Sequence, residues 1–124
     1  MLNLLVLRAR DPSELARFYE LLDLAFVPER HGSGPEHMAC HANGTTLEIY
    51  PALNGQSTAC ARLGFAVANV DAAFARMIAE HATCISKPAD SPWGRRAVVR
   101  DPEGHVLELT QRHSSESDDL ARAA

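Results

Sequence analysis

Thr45-Thr46-Leu47-Glu48-Ile49-Tyr50 and His105-Val106-Leu107-Glu108-Leu109 are the two stretches that decide the fold. Each places an acidic residue between aliphatics, in a run that otherwise alternates like a half-buried strand. Burying a carboxylate costs several kcal/mol unless a cation or hydrogen-bond donors compensate it. Two such residues, one near the end of each chain half, point to one polar site built from a repeat.

Working outward, the same order of elements appears twice. Leu2 to Ala9 is an apolar strand ending at Arg8 and Arg10. Asp11 then caps a helix, with Pro12 at its first position and Glu14 three residues on. Leu15, Phe18, Tyr19 and Leu22 give that helix an apolar face. Phe26-Val27-Pro28 opens an extended piece, residues 31–35 form a Gly- and Ser-rich loop, and Met38 to His41 reads as a strand. Asn43-Gly44 is a hairpin signal before Thr45 to Tyr50. Pro51 to Cys60 is a polar linker, and the pattern restarts. Arg62 to Ala68 is a strand, Asn69 or Asp71 caps a helix with Ala73, Phe74, Met77 and Ile78, and Cys84-Ile85-Ser86 is extended. Lys87 to Gly94 reads as a loop, Arg96 to Arg100 as a strand, Pro102-Glu103-Gly104 as a turn and His105 to Gln111 as the last strand. Asn69 stands 58 residues after Asp11, and Glu108 stands 60 after Glu48. Repetition of a whole β-α-β-β-β unit outweighs any single motif. Each unit is too small to bury a core alone, so the two pack together or swap between chains. The domain is expected over residues 1–112, with modules of about 1–52 and 61–112 and a polar, flexible tail at 113–124.

The 124 residues suit one such domain, and the formal net charge of -4 gives a nucleic-acid partner no electrostatic support. The longest early apolar run, Leu4 to Leu7, is too short for a signal peptide or a membrane span. Cytoplasmic residence and no membrane partner are the expectation. Cys40, Cys60 and Cys84, odd in number and without CxxC spacing, read as reduced thiols.

Alternation then assigns faces. Thr46, Glu48 and Tyr50 share a face against Leu47 and Ile49. Val106, Glu108 and Thr110 oppose Leu107 and Leu109. Arg62, Gly64, Ala66 and Ala68 oppose Leu63, Phe65 and Val67, and Leu4, Val6 and Arg8 complete the set. The aliphatic faces are expected against the helices, and the mixed faces around a ligand.

Asp11-Pro12-x5-Phe18-Tyr19, Leu47-Glu48-Ile49, Asn69-Val70-Asp71-Ala72-Ala73, Pro92-Trp93-Gly94-x-Arg96 and Asp101-Pro102-Glu103-Gly104-His105-x-Leu107-Glu108-Leu109 together resemble the vicinal oxygen chelate superfamily. That group includes glyoxalase I, bleomycin-resistance proteins and extradiol dioxygenases. The resemblance covers about residues 1–111. It implies an α+β fold of paired βαβββ modules whose mixed sheets curl into an open cup, in a homodimer that is swapped or unswapped. In metal-using members four strand positions hold a divalent ion, and here they fall on Leu4, Glu48, Arg62 and Glu108. Leucine has no lone pair to give, and arginine keeps its charge. An Arg–Glu network in place of a metal is therefore the working expectation, with no cofactor.

Two functions follow from the resemblance. One is a small-molecule-binding protein like the bleomycin-resistance branch, its ligand touching Arg8, Thr46, Glu48, Tyr50, Arg62, Trp93, Arg96 and Glu108. The alternative is a divalent-metal-dependent lyase, isomerase or dioxygenase using Glu48 and Glu108, with Glu108 as the catalytic proton carrier. A purely structural or regulatory dimer with a vestigial cup is a third reading.

The remaining polar residues carry quieter readings. On a strand the His37-x3-His41 spacing separates the two rings by about 13 Å, which points to hydrogen-bonded or solvated histidines. His105 is expected to secure a loop, and Asp101 to serve as a turn residue. The cysteines have no basic partner for nucleophilic work. Trp93 is either a lid over a ligand or a dimer anchor, and Arg95 and Arg96 either meet an anionic group or solvate a strand.

Overall fold

Asp11 starts the first helix as its sequence dictates: its backbone is extended and its side chain accepts from the Glu14 amide at 3.1 Å. Asn69 does the same for the second helix, accepting from the Ala72 amide at 3.0 Å. The structure is a computed structural model that describes residues 1–112. Strand β1 (Leu4–Ala9) leads to α1 (Pro12–Tyr19) and a 3-10 turn (Glu20–Leu22), followed by β2 (Val27–Glu29), β3 (His37–Ala42) and β4 (Thr45–Pro51). The second pass is β5 (Arg62–Ala66), α2 (Val70–Ala79), β6 (Thr83–Ser91), β7 (Gly94–Arg100) and β8 (Val106–Gln111). The tail expected at 113–124 lies outside the described residues.

Each module makes one open four-stranded mixed sheet, in the order β1-β4-β3-β2 and then β5-β8-β7-β6. The first and last strands of each module run parallel, because the helix carries the chain back over one face. The Asn43-Gly44 hairpin has positive φ at both positions, as its tight turn requires. Leu7, Ile49, Leu107 and Leu109 are fully buried beneath the helices, while Leu4, Arg62, Gly64 and Ala66 are exposed. The faces thus sort as alternation predicts.

One reading changes. Residues 87–91 are strand rather than loop: β6 continues through Pro88 with register shifts between Cys84 and Ser86 and between Ser86 and Ala89. An edge strand needs no amide from Pro88, so the proline is tolerated there. In the parallel pairs Val6 lies beside Glu48, and Gly64 beside Glu108.

The modules meet at a buried polar clasp. Tyr19 Oη donates to Asp101 Oδ2 at 2.8 Å, and His105 Nδ1 lies 2.8 Å from the same oxygen. Asp101 Oδ1 accepts from the amides of Glu103 and His105 at 2.9 and 3.0 Å. His105 Nε2 is 2.6 Å from Thr58 Oγ1, which accepts from the Arg8 amide at 2.9 Å. A carboxylate only accepts, so Nδ1 of His105 carries the proton and Nε2 takes the Thr58 hydroxyl. Burial, then the charge of Asp101 and its hydrogen bond, hold the Tyr19 phenol far above its usual range. Asp101 and His105 are therefore more than turn and loop residues: they tie α1, β1 and the linker to the β7–β8 turn.

Removing one partner from this clasp leaves buried polar groups unmet. Tyr19→Phe is expected to lower unfolding free energy by about 1–2 kcal/mol, and Asp101→Asn by about 3 kcal/mol. Urea titration measures both; an Asp101→Asn protein as stable as wild type contradicts the clasp.

Candidate functional site

The mixed face of the first sheet carries a row of aligned side chains. Glu29 pairs across strands with His37, and Arg8 with Tyr50. The rings of His37 and Tyr50 stack at 4.0 Å with planes 11° apart, and the Arg8 guanidinium carbon lies 5.1 Å from the Tyr50 centroid. His31, from the β2–β3 loop, stacks on the far side of His37 at 4.8 Å. The result is a continuous Arg8–Tyr50–His37–His31 stack. Burial and then the Glu48 charge push the Tyr50 phenol up, with Arg8 opposing.

Glu48 and Glu29 sit over this stack. Glu48 Oε2 is 3.1 Å from His37 Nε2 and 3.5 Å from His31 Nε2. Glu29 Oε1 is 3.7 Å from each of the same two nitrogens. Its other oxygen is 2.8 Å from His41 Nε2, and that hydrogen bond is the main reason the Glu29 carboxyl stays below its usual range. His41 Nδ1 in turn is 3.0 Å from Thr46 Oγ1. One donor atom from each of Glu29, His31, His37 and Glu48 lies within 4.8 Å of all the others.

The second sheet surrounds its glutamate differently. Glu108 Oε1 accepts from Arg62 Nη2 at 2.9 Å, from Arg96 Nε at 3.0 Å and from Arg96 Nη2. The Arg62 hydrogen bond, then that of Arg96, lowers the Glu108 carboxyl from 4.5 to about 2. Arg95 is committed elsewhere: it grips Asp71 at the start of α2 at 2.6 and 3.0 Å, and Asp90 at 3.2 Å. Trp93, at the β6–β7 turn, is 75% exposed.

The expected site residues therefore fall into two sets. Arg8, Thr46, Glu48 and Tyr50 share the first mixed face; Arg62, Arg96 and Glu108 share the second. Among the described residues the two glutamates have separate partners, imidazoles for Glu48 and guanidiniums for Glu108. The Arg–Glu network forms around Glu108, through Arg96 as well as Arg62. Glu29 and His31 were missed, and His37 is more than a hydrogen-bonded histidine, since it belongs to the four-residue group. The available signal was the β2–β3 pairing, which sets Glu29 beside His37; spacing within one strand concealed it. The family's metal positions do not fit an ion: Leu4 is exposed and donor-free, and Arg62 is ion-paired to Glu108. A separate cleft of about 490 Å³ on the helical side, between Arg17, Phe18 and His81, includes none of these residues.

Residues 1–109 match the model of the Glyoxalase/Bleomycin resistance protein/Dioxygenase superfamily. No curated protein matches the sequence. Among solved structures, TioX from Micromonospora sp. ML1 is 24% identical, with 91% of this chain and 99% of that one covered and a TM-score of 0.70. TnmS3, an antibiotic binding protein from Streptomyces sp. CB03234, is 22% identical over 91% and 96%, with a TM-score of 0.73. A glyoxalase-related enzyme from Fulvimarina pelagi is 22% identical over 90% and 88%, with a TM-score of 0.70. At these identities the likeness establishes the fold.

A carboxyl whose folded value is depressed stabilises above its unfolded value and loses that contribution as pH falls. For Glu108 the window runs from 4.5 down to about 2. Carbon-detected NMR titration is expected to find its midpoint near the lower limit. Arg96→Gln is expected to raise that midpoint; an unchanged midpoint denies the pairing.

Proposed function

The chain belongs to the Glyoxalase/Bleomycin resistance protein/Dioxygenase superfamily, and from that premise we propose that it is a small-molecule-binding protein that holds its ligand without chemistry. The observation that carries this reading is Glu108 between Arg62 and Arg96. Two guanidiniums occupy the place where a metal-using relative needs a cation, and their charge opposes a second one. A carboxyl held at about 2 is also a poor proton acceptor near neutral pH. That weighs against the alternative, a divalent-metal-dependent lyase, isomerase or dioxygenase with Glu48 and Glu108 as its pair.

The stacked rings support a planar ligand. His31, at the exposed end of the stack, offers a face to a planar aromatic molecule, and Arg8, Arg62 and Arg96 offer donors to its oxygens. The antibiotic binding named for TnmS3 is consistent with such a ligand. We place the site at a homodimer interface, where the exposed apolar Leu4, Val27 and Trp93 are covered or close over the bound molecule. The free thiols Cys40, Cys60 and Cys84 support residence in the reducing cytoplasm.

Trp93 is the single tryptophan, so its fluorescence reports on the cup. In the presence of chelator, a panel of planar aromatic antibiotics is expected to contain at least one that quenches Trp93 on saturable binding. Tyr50→Ala is expected to weaken it about tenfold or more. Binding or turnover that requires added metal and disappears in Glu108→Gln instead supports the enzyme reading.

A further inference from the structure

We propose that Glu29, His31, His37 and Glu48 bind one late first-row divalent metal ion, zinc being the reference case, within the first module alone. Two imidazoles and two carboxylates are the donors such ions prefer. The four His–Glu separations, between Glu29 Oε1 or Glu48 Oε2 and the two Nε2 atoms, are 3.1, 3.5, 3.7 and 3.7 Å. Tetrahedral donors at 2.0–2.1 Å from zinc stand about 3.3 Å apart. All four donor atoms lie within 4.8 Å of one another, so small side-chain shifts close the cluster on one ion, and the two carboxylate charges match its own.

His37 supplies an independent reason. The residue is 1% exposed, and its Nδ1 lies 3.2 Å from the Pro35 carbonyl. A carbonyl only accepts, so Nδ1 carries a proton, which leaves Nε2 as the nitrogen able to take a metal. Nε2 faces Glu48 Oε2, 3.1 Å away, and is the buried side-chain atom left without an aligned hydrogen bond among the described residues. A cation between the two atoms, a proton or a metal ion, satisfies both. A backbone carbonyl on the far nitrogen is also how metal-binding histidines are usually oriented. Glu29 is braced similarly, through His41 and then Thr46.

This site is not the family's arrangement, which spans the first and last strands of both modules. It shares Glu48 with that set and takes its other donors from β2, the β2–β3 loop and β3. The exposed His31 leaves one side open to solvent.

Isothermal titration of chelator-treated, dialysed full-length protein with zinc, and with cobalt followed by its visible spectrum, tests the site. One ion per chain is expected. Glu29→Gln and His31→Gln, both near the surface, are expected to weaken binding about 100-fold or more while leaving the metal-free melting temperature unchanged. Glu108→Gln is expected to leave zinc affinity as it is. Failure of both metals to bind overturns the proposal. So does unchanged affinity in both Glu29→Gln and His31→Gln, or loss of affinity in Glu108→Gln, which indicates a two-module site. Because no organic ligand is present, the outcome is independent of the drug-binding test.

Discussion

The protein depends on the buried carboxylate of Asp101. Four donors converge on it: the Tyr19 hydroxyl, the His105 ring, and the amides of Glu103 and His105. The hydroxyl comes from the end of α1 and the other three from the β7–β8 turn, and together they offset the cost of desolvating the carboxylate. Tyr19 also touches Phe65 of the second sheet, ring to ring at 5.8 Å. Glu103 adds a second tie from the same turn, accepting from the Arg10 and Asp11 amides. Two sheets that share no strand pairing are thereby given one relative orientation, and their mixed faces one geometry.

Duplication explains why both sheets present a glutamate; divergence explains what each glutamate does. The first module surrounds Glu48 with imidazoles, which can give or receive a proton or bind a metal. The second surrounds Glu108 with guanidiniums, which can do neither. Two copies of one plan thus differ in what surrounds the shared glutamate.

Much of this was legible in the chain. Caps at Asp11 and Asn69, the Asn43-Gly44 turn and the alternation around Glu48 and Glu108 are local signals, and each alone specifies an element. The Arg62–Glu108 pair was legible because a cation replaced a ligand in a repeat. What escaped depends on stagger between strands. Whether Glu29 meets His37 is set by pairing that no local spacing encodes. Strand β6 was misread for a related reason: Pro88 signals a loop by propensity, but an edge position removes its penalty.

The β6–β7 hairpin fixes how Trp93 can move. Gly94 has a φ of 130°, and a Cβ there would lie 2.2 Å from the Gln111 carbonyl oxygen, so the strand behind Trp93 is pressed against its neighbour. Ser91 Oγ donates to the Gly94 carbonyl at 2.6 Å and accepts from the Trp93 amide at 3.2 Å. Arg95, next to the turn, ties the hairpin to α2. The indole is thus a paddle on a fixed post. Its freedom is rotation about its own side-chain bonds, on the picosecond-to-nanosecond scale of exposed rotamers, rather than the slower swing of a loop.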